Sequence, residues 1–192
     1  HCDALEKEVE PRPNVFFPLD FACAQADKRN AAAGITTVYH SLSFANDELG
    51  VRNNEMAASV ARAVHAWHPH GLVDNRVHCR YEITDEFALP VLKQLLNEQS
   101  MHLVSMMDHT PGQGQFKDLA AYRDYLTRNY KKTADEVSVI IERKAEAAAG
   151  AFDRMQSLAE AAHAAGISVA SHDDDSAERI STMKGIGADI SE

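Results

Sequence analysis

The chain has 192 residues, 45% of them hydrophobic and 25% charged, a globular composition sufficient to bury one core in one domain. A formal charge of −10 without any Lys/Arg cluster argues against a broad nucleic-acid surface, and no apolar run nears the roughly 20 residues that span a bilayer, so a soluble protein is expected. Cys2, Cys23 and Cys79 lack CxxC spacing and fit a reducing, cytoplasmic setting, with Cys23 and Cys79 read as small buried apolar residues.

His1 and Asp3 open the chain two residues apart, so an extended backbone places both on one face. Pro18 suits the first turn of a helix through Ala22, Ala26 and Ala31 to Gly34. A strand over 36–42 comes next, then a helix whose apolar positions Met56, Val60, Ala63, Val64 and Trp67 share a face, ended by His68-Pro69-His70-Gly71. A second strand covers 77–83. Leu89, Leu92, Leu95 and Leu96 mark an amphipathic helix before a strand over 102–108 and a loop through Gln115. Phe116, Leu119, Tyr122 and Leu126 give a short helix. The capping-box spacing Thr133-Ala134-Asp135-Glu136 then starts one long helix that runs to about Gly166. A strand over 167–171 and a helix through Ala177, Ile180 and Met183 follow, and a further strand begins at 188–192.

Strands alternating with helices mean βα units and a parallel sheet. About five such units plus the stub at His1 are counted, against the roughly 250 residues of a closed eight-stranded barrel. The expected fold is therefore α/β, a partial (β/α)₈ TIM barrel that forms a single domain over 1–192 and lacks the last strands. With no initial methionine and a strand just starting at its end, the chain reads as an interior piece of something longer.

Four of the strands run directly into a histidine or a carboxylate: Thr36 to His40, Val77 to Glu82, Leu103 to His109 and Ile167 to Asp173. The carboxyl ends of parallel strands open onto one face, and imidazoles and carboxylates gathered there are ligands for a divalent metal. His78, Arg80 and Glu82 alternate along one strand and share its face. A carboxylate pointing into a barrel is costly unless paired or metal-bound, so Glu82 reads as a ligand or metal bridge, with a plain Glu82–Arg80 ion pair as the other reading. Asp108 opens a run of turn formers. Acidic residues after His172 complement a helix macrodipole, which accounts for Asp174 and Asp175 but not for His172. His65, His68, His70, His102 and His163 read as surface or hydrogen-bonded residues.

His1-Cys2-Asp3-Ala4-Leu5-Glu6-Lys7, Glu10-Pro11-Arg12-Pro13, Ala33-Gly34-Ile35-Thr36-Thr37-Val38, Arg80-Tyr81-Glu82, Ala170-Ser171-His172-Asp173-Asp174 and, most specifically, Met107-Asp108-His109-Thr110-Pro111-Gly112-Gln113-Gly114-Gln115-Phe116 occur in this order from end to end. In these strings the chain resembles the amidohydrolase superfamily, and within it the enzymes of phosphonate utilisation. The resemblance implies a (β/α)₈ barrel with a metal centre at its mouth and a separate small β domain, absent here, built from the two chain ends. It implies cytoplasmic work in the carbon–phosphorus lyase pathway: hydrolysis of α-D-ribose 1-methylphosphonate 5-triphosphate to the 5-phosphate with release of diphosphate. His1, Asp3, Glu82, His109 and His172 are the implied ligands of one or two divalent ions, zinc first and manganese second. Glu82 then stands in for the bridging carboxylated lysine of many relatives.

Asp3 replaces the commoner second histidine, His40 stands where an acidic residue is expected, and the late strand that supplies an aspartate base is absent. Hydrolysis of a phosphoanhydride needs a strong nucleophile, which a metal supplies by lowering the pKa of its water to about 7. Arg12 and Arg80, then Lys7 and Lys117, are candidates to bind the triphosphate, together with backbone N–H groups around Gly112 and Gln113. Asp108 or Asp173 is the candidate to orient the water. Two other readings stay open: hydrolysis of a C–N bond in a cyclic amide by the same type of site, and a non-catalytic module whose polar strand ends form ion pairs and caps. The expected partner is a small phosphorylated sugar phosphonate, with no nucleic acid or membrane, and a homodimer is admitted.

Overall fold

Five strands set the frame of the computed structural model, which describes residue 2 and residues 4–46, 52–110, 118–130 and 132–191. They are β1 Thr37–Phe44, β2 Asp74–Glu82, β3 Leu103–Met107, β4 Ser168–Ser171 and β5 Ile190–Ser191, all parallel to their neighbours and in sequential order. Cys2 adds a parallel bridge to β1 at His40, with its N–H donating to Tyr39 O at 2.9 Å and its C=O accepting from Ser41 N at 2.8 Å.

Sequential order without reversal is the winding of a barrel rather than of a doubly wound sheet, whose strand order turns back at a switch point. The observed architecture is thus the partial TIM-barrel type that the alternation of strands and helices predicts.

The first four strands each present one face to the helices. Leu42, Phe44, Val77, Cys79, Tyr81, Val104, Met106 and Val169 belong to one buried cluster with residues of α3 (Asn54–Trp67), α4 (Ala88–Asn97) and α7 (Ala151–Ala164). Leu92, Leu95 and Leu158 there are fully buried, each worth roughly 1.5–3 kcal/mol relative to exposure. The register puts Ser41 beside His78, Ser43 beside Arg80, Arg80 beside Ser105, and Glu82 beside Met107 on the other, barrel-interior face. Because side chains alternate, the polar residues of the strands line up in rows on that face.

Helix ends follow local chemistry. Asn53 caps α3 by accepting from Met56 N at 2.9 Å. α1 (Leu5–Val9), which the sequence pattern does not announce, precedes α2 (Leu19–Ala32), and Gly34 turns after α2 with φ 78°. α8 (Ala177–Ile186) ends on Gly187 at φ 115°. Cys23 and Cys79 are buried as expected, and no helix among the described residues is long and apolar enough to cross a membrane.

The single long helix expected from Thr133 to Gly166 is instead two, α6 (Ala134–Ala148) and α7, with a break at Gly150. The capping box at Thr133 and Glu136 is present as read. Gly150 lacks the side chain that would meet the Arg154 guanidinium: a Cβ there would lie 2.7 Å from Nη1. Arg154 Nη2 can therefore reach both Ala147 O, at the end of α6, and Ile83 O, 2.8 Å away just past β2. A tertiary cap ends the helix where periodicity alone would continue it. Before it, α5 (Leu119–Tyr130) pairs with α6 over a small core of their own, Tyr122, Leu126 and Val137 with Ile140 and Ile141.

Candidate active site

Glu82 is the last residue of β2 and is 2% exposed. Its Oε1 accepts from Thr84 Oγ1 at 2.8 Å, and its Oε2 lies 2.8 Å from Nδ1 of His109, two residues past β3. Burial alone would raise this carboxyl. The close approach of His109, the charges of Lys144 and His109 and the Thr84 hydrogen bond outweigh it and bring Glu82 down to about 2. Glu82 is therefore a buried anion whose partners are His109 and Thr84, not Arg80.

Arg80, one residue pair lower on the same face, reaches the other way. Its Nη2 donates to His172 Nε2 at 3.3 Å, joining residues 92 apart in sequence across β3. With Nε2 acting as an acceptor, Asp173 Oδ2 at 3.7 Å is a neighbour of the ring rather than its ion-pair partner. Asp173 itself is half exposed and holds a left-handed φ of 58°.

Asp108, just past β3, accepts from Thr110 N at 3.1 Å, the turn its sequence suggests, and from Arg179 Nη1 at 3.2 Å. Arg179 Nε also lies 3.9 Å from Asp174 Oδ1. Asp108, His172, Asp173, Ser176 and Arg179 line a cleft of about 310 Å³.

His78 shares hydrogen bonds with Ser105 Oγ at 2.8 Å and Ser41 Oγ at 3.5 Å. Burial above all, then the Arg80 charge and His172, push it down to about 3, so it is neutral.

His40 does not join this rim. It lies on the helix-facing side of β1, where Nε2 meets Asn75 Oδ1 at 2.9 Å and Asn75 Nδ2 donates to Asp27 Oδ1 at 2.7 Å. Lys7 on α1 and Arg12 just after it are exposed, with no hydrogen bond or ion pair to Glu82, His109 or His172 among the described residues. His1, Asp3, Gly112, Gln113 and Lys117 lie outside the described residues.

Two sets of cations emerge that sequence reasoning missed. Arg179 sits in the first turn of α8, against the macrodipole, and that mismatch was its available signal. Arg143 and Lys144 of α6 line a second cavity of about 470 Å³ with Asn46, Glu82, Thr84 and Asp85. On a helix surface such residues read as a solvated face.

Among the described residues no group of three or more His, Cys, Asp or Glu side chains is placed to hold a metal ion. Glu82 and His109 do fit one as a pair. Oε2 is buried and accepts no well-aligned hydrogen bond among the described residues although Nδ1 is at contact distance, an orphan that a cation would complete. Carboxylate with imidazole suits zinc or manganese.

The fold and rim together define a barrel-type α/β chain with a buried carboxylate and histidine at adjoining strand ends. No protein-family model matches it. The chain is similar to the alpha-D-ribose 1-methylphosphonate 5-triphosphate diphosphatase of Escherichia coli (strain K12), with 31% identity over 195 residues that take in 100% of this chain and 52% of that protein. The resemblance of the motif strings to an enzyme of phosphonate utilisation is borne out by this match, and the chain spans about half the length of the curated relative.

Proposed function

We propose that the protein is a metal-dependent hydrolase of the amidohydrolase superfamily acting in the cytoplasm on α-D-ribose 1-methylphosphonate 5-triphosphate, releasing diphosphate and leaving the 5-phosphate. The observation that carries this reading is the buried, ionised Glu82 against His109 at neighbouring strand ends, in a chain aligned along its whole length with a diphosphatase. Glu82 and His109 would hold the ion, with His172, His1 and Asp3 as the further ligands. A bound divalent cation supplies Lewis acidity at phosphorus and an activated water at neutral pH.

The chain's own residues do the rest. Thr84 fixes the Glu82 carboxylate by its hydroxyl. Arg80 brings a guanidinium to the barrel interior beside His172, where negative charge on equatorial oxygens is stabilised. Asp108, held by Arg179 and Thr110, is oriented to accept a proton from attacking water, with Asp173 as the second candidate.

The test is twofold: elemental analysis of the full-length protein, and diphosphate release from the triphosphate compared with ring opening of cyclic amides. Stoichiometric zinc or manganese with diphosphate release is expected. Ring opening without diphosphate release would move the activity to C–N bonds. The non-catalytic reading, in which the polar strand ends form ion pairs and caps, is the remaining alternative. Protein without bound metal, inactive when either ion is added, would establish it.

A further inference from the structure

A barrel of net charge −10 that takes an anionic triphosphate must gather positive charge locally. The cavity beside Glu82 does so from an unexpected direction. Two of its three carboxylates are committed: Asp85 accepts from Asn46 N at 2.6 Å, Asn54 Nδ2 at 3.0 Å and Phe87 N at 2.9 Å, and Glu82 is held by Thr84 and His109, while the third, Glu86, is exposed at the edge. Facing them from α6 are Arg143 and Lys144. Lys144 makes no direct ion pair with Glu82 among the described residues, yet the two line the same cavity of about 470 Å³.

The arm that carries these cations is fixed in place. The α5–α6 hairpin has a core separate from the barrel's, and Arg154 ties its end, at Ala147, to Ile83 beside Glu82. Ala147 lies one helical turn beyond Arg143 and Lys144, so the tie sets where both side chains stand relative to the end of β2.

We infer that Lys144, with Arg143 beside it, forms the anion subsite that receives the diphosphate end of a triphosphate substrate. This rests on the hydrolase reading above and deepens it. A bound polyphosphate oxygen would replace water at the Lys144 ammonium, a charge-assisted contact absent from a neutral cyclic amide.

The experiment uses full-length protein carrying Lys144→Gln, Arg143→Gln or Lys144→Arg, with Lys28→Gln, an exposed position on α2, as the control for net charge. Expected for Lys144→Gln is a roughly tenfold rise in KM for the triphosphate and in the inhibition constant of inorganic diphosphate, with metal content unchanged. Arg143→Gln should move both in the same direction, and Lys144→Arg should restore most of the loss. Unchanged KM and inhibition constant, or a fall in metal content, would overturn the inference, the latter assigning Lys144 to Glu82 alone. Should the parent protein release no diphosphate, the hydrolase reading fails by itself. Calorimetric binding of inorganic diphosphate to parent and Lys144→Gln protein then decides the subsite: weaker binding to the variant supports it, and equal or no binding overturns it.

Discussion

Glu82 Oε2 and His109 Nδ1 meet at 2.8 Å, so a carboxylate at the end of β2 and an imidazole beyond β3 share one point on the barrel rim. Glu82→Gln keeps the shape and the Thr84 contact but removes the charge. Metal affinity and diphosphate release are expected to fall more than about 100-fold, since changes even behind a ligand cost 10–100-fold. Circular dichroism should show the fold retained. Full metal content in the variant would refute Glu82 as a ligand.

Arg179 bridges the turn after β3 to the one after β4 through Asp108 and Asp174. Arg179→Gln should cost about 1–2 kcal/mol by urea denaturation, the range for a partly buried charge-assisted bond. It should also lower kcat, because Asp108 loses the partner that orients it. Unaltered stability would show the bridge to be energetically idle.

His78 gives stability a pH dependence in a defined window. The unfolded chain takes up its proton near pH 6.5, whereas burial and the Arg80 charge delay protonation of the folded form to about 3. The contribution is thus intact above 6.5 and is lost as pH falls from 6.5 toward 3, at no more than about 1.4 kcal/mol per pH unit. Between pH 6.5 and 5, above most carboxylate titrations, His78→Gln should flatten the slope of unfolding free energy against pH. Buried His40, lowered mainly by desolvation, acts in the same direction and would leave a residual slope. An identical slope in the variant would reject the assignment.

Arg154→Met should free the α5–α6 hairpin while sparing the barrel. Amides of α6 are expected to exchange roughly tenfold faster, the equivalent of about 1.4 kcal/mol, with β2 and β3 unchanged. Uniform acceleration across the chain would mean that the tie supports the whole fold instead.

The strands were legible because two-residue alternation, and at β2, β3 and β4 a carboxylate or histidine where the strand ends, are local signals; β1 instead runs past His40 to Phe44. Hence the shared face of His78, Arg80 and Glu82, and the rim position of Asp108, His109 and His172, could be read without coordinates. The split between α6 and α7 could not, since it depends on Arg154 reaching Ile83, 71 positions earlier in the chain. For the same reason a plain Glu82–Arg80 ion pair stood open beside the reading of Glu82 as a metal ligand or bridge, and the roles of Lys144 and Arg179 were invisible. Each depends on which element arrives opposite. His40 shows the converse case, a strand histidine whose alternation turns it away from the rim to Asn75.

Cys79 lies in the middle of β2, fully buried and with its thiol pKa driven upward by desolvation, while Cys2 is partly accessible. Alkylating reagents should therefore modify Cys2 quickly and Cys79 only when the central strands part. The chain thus carries a built-in chemical clock for opening of its own sheet, readable by mass spectrometry without any introduced label.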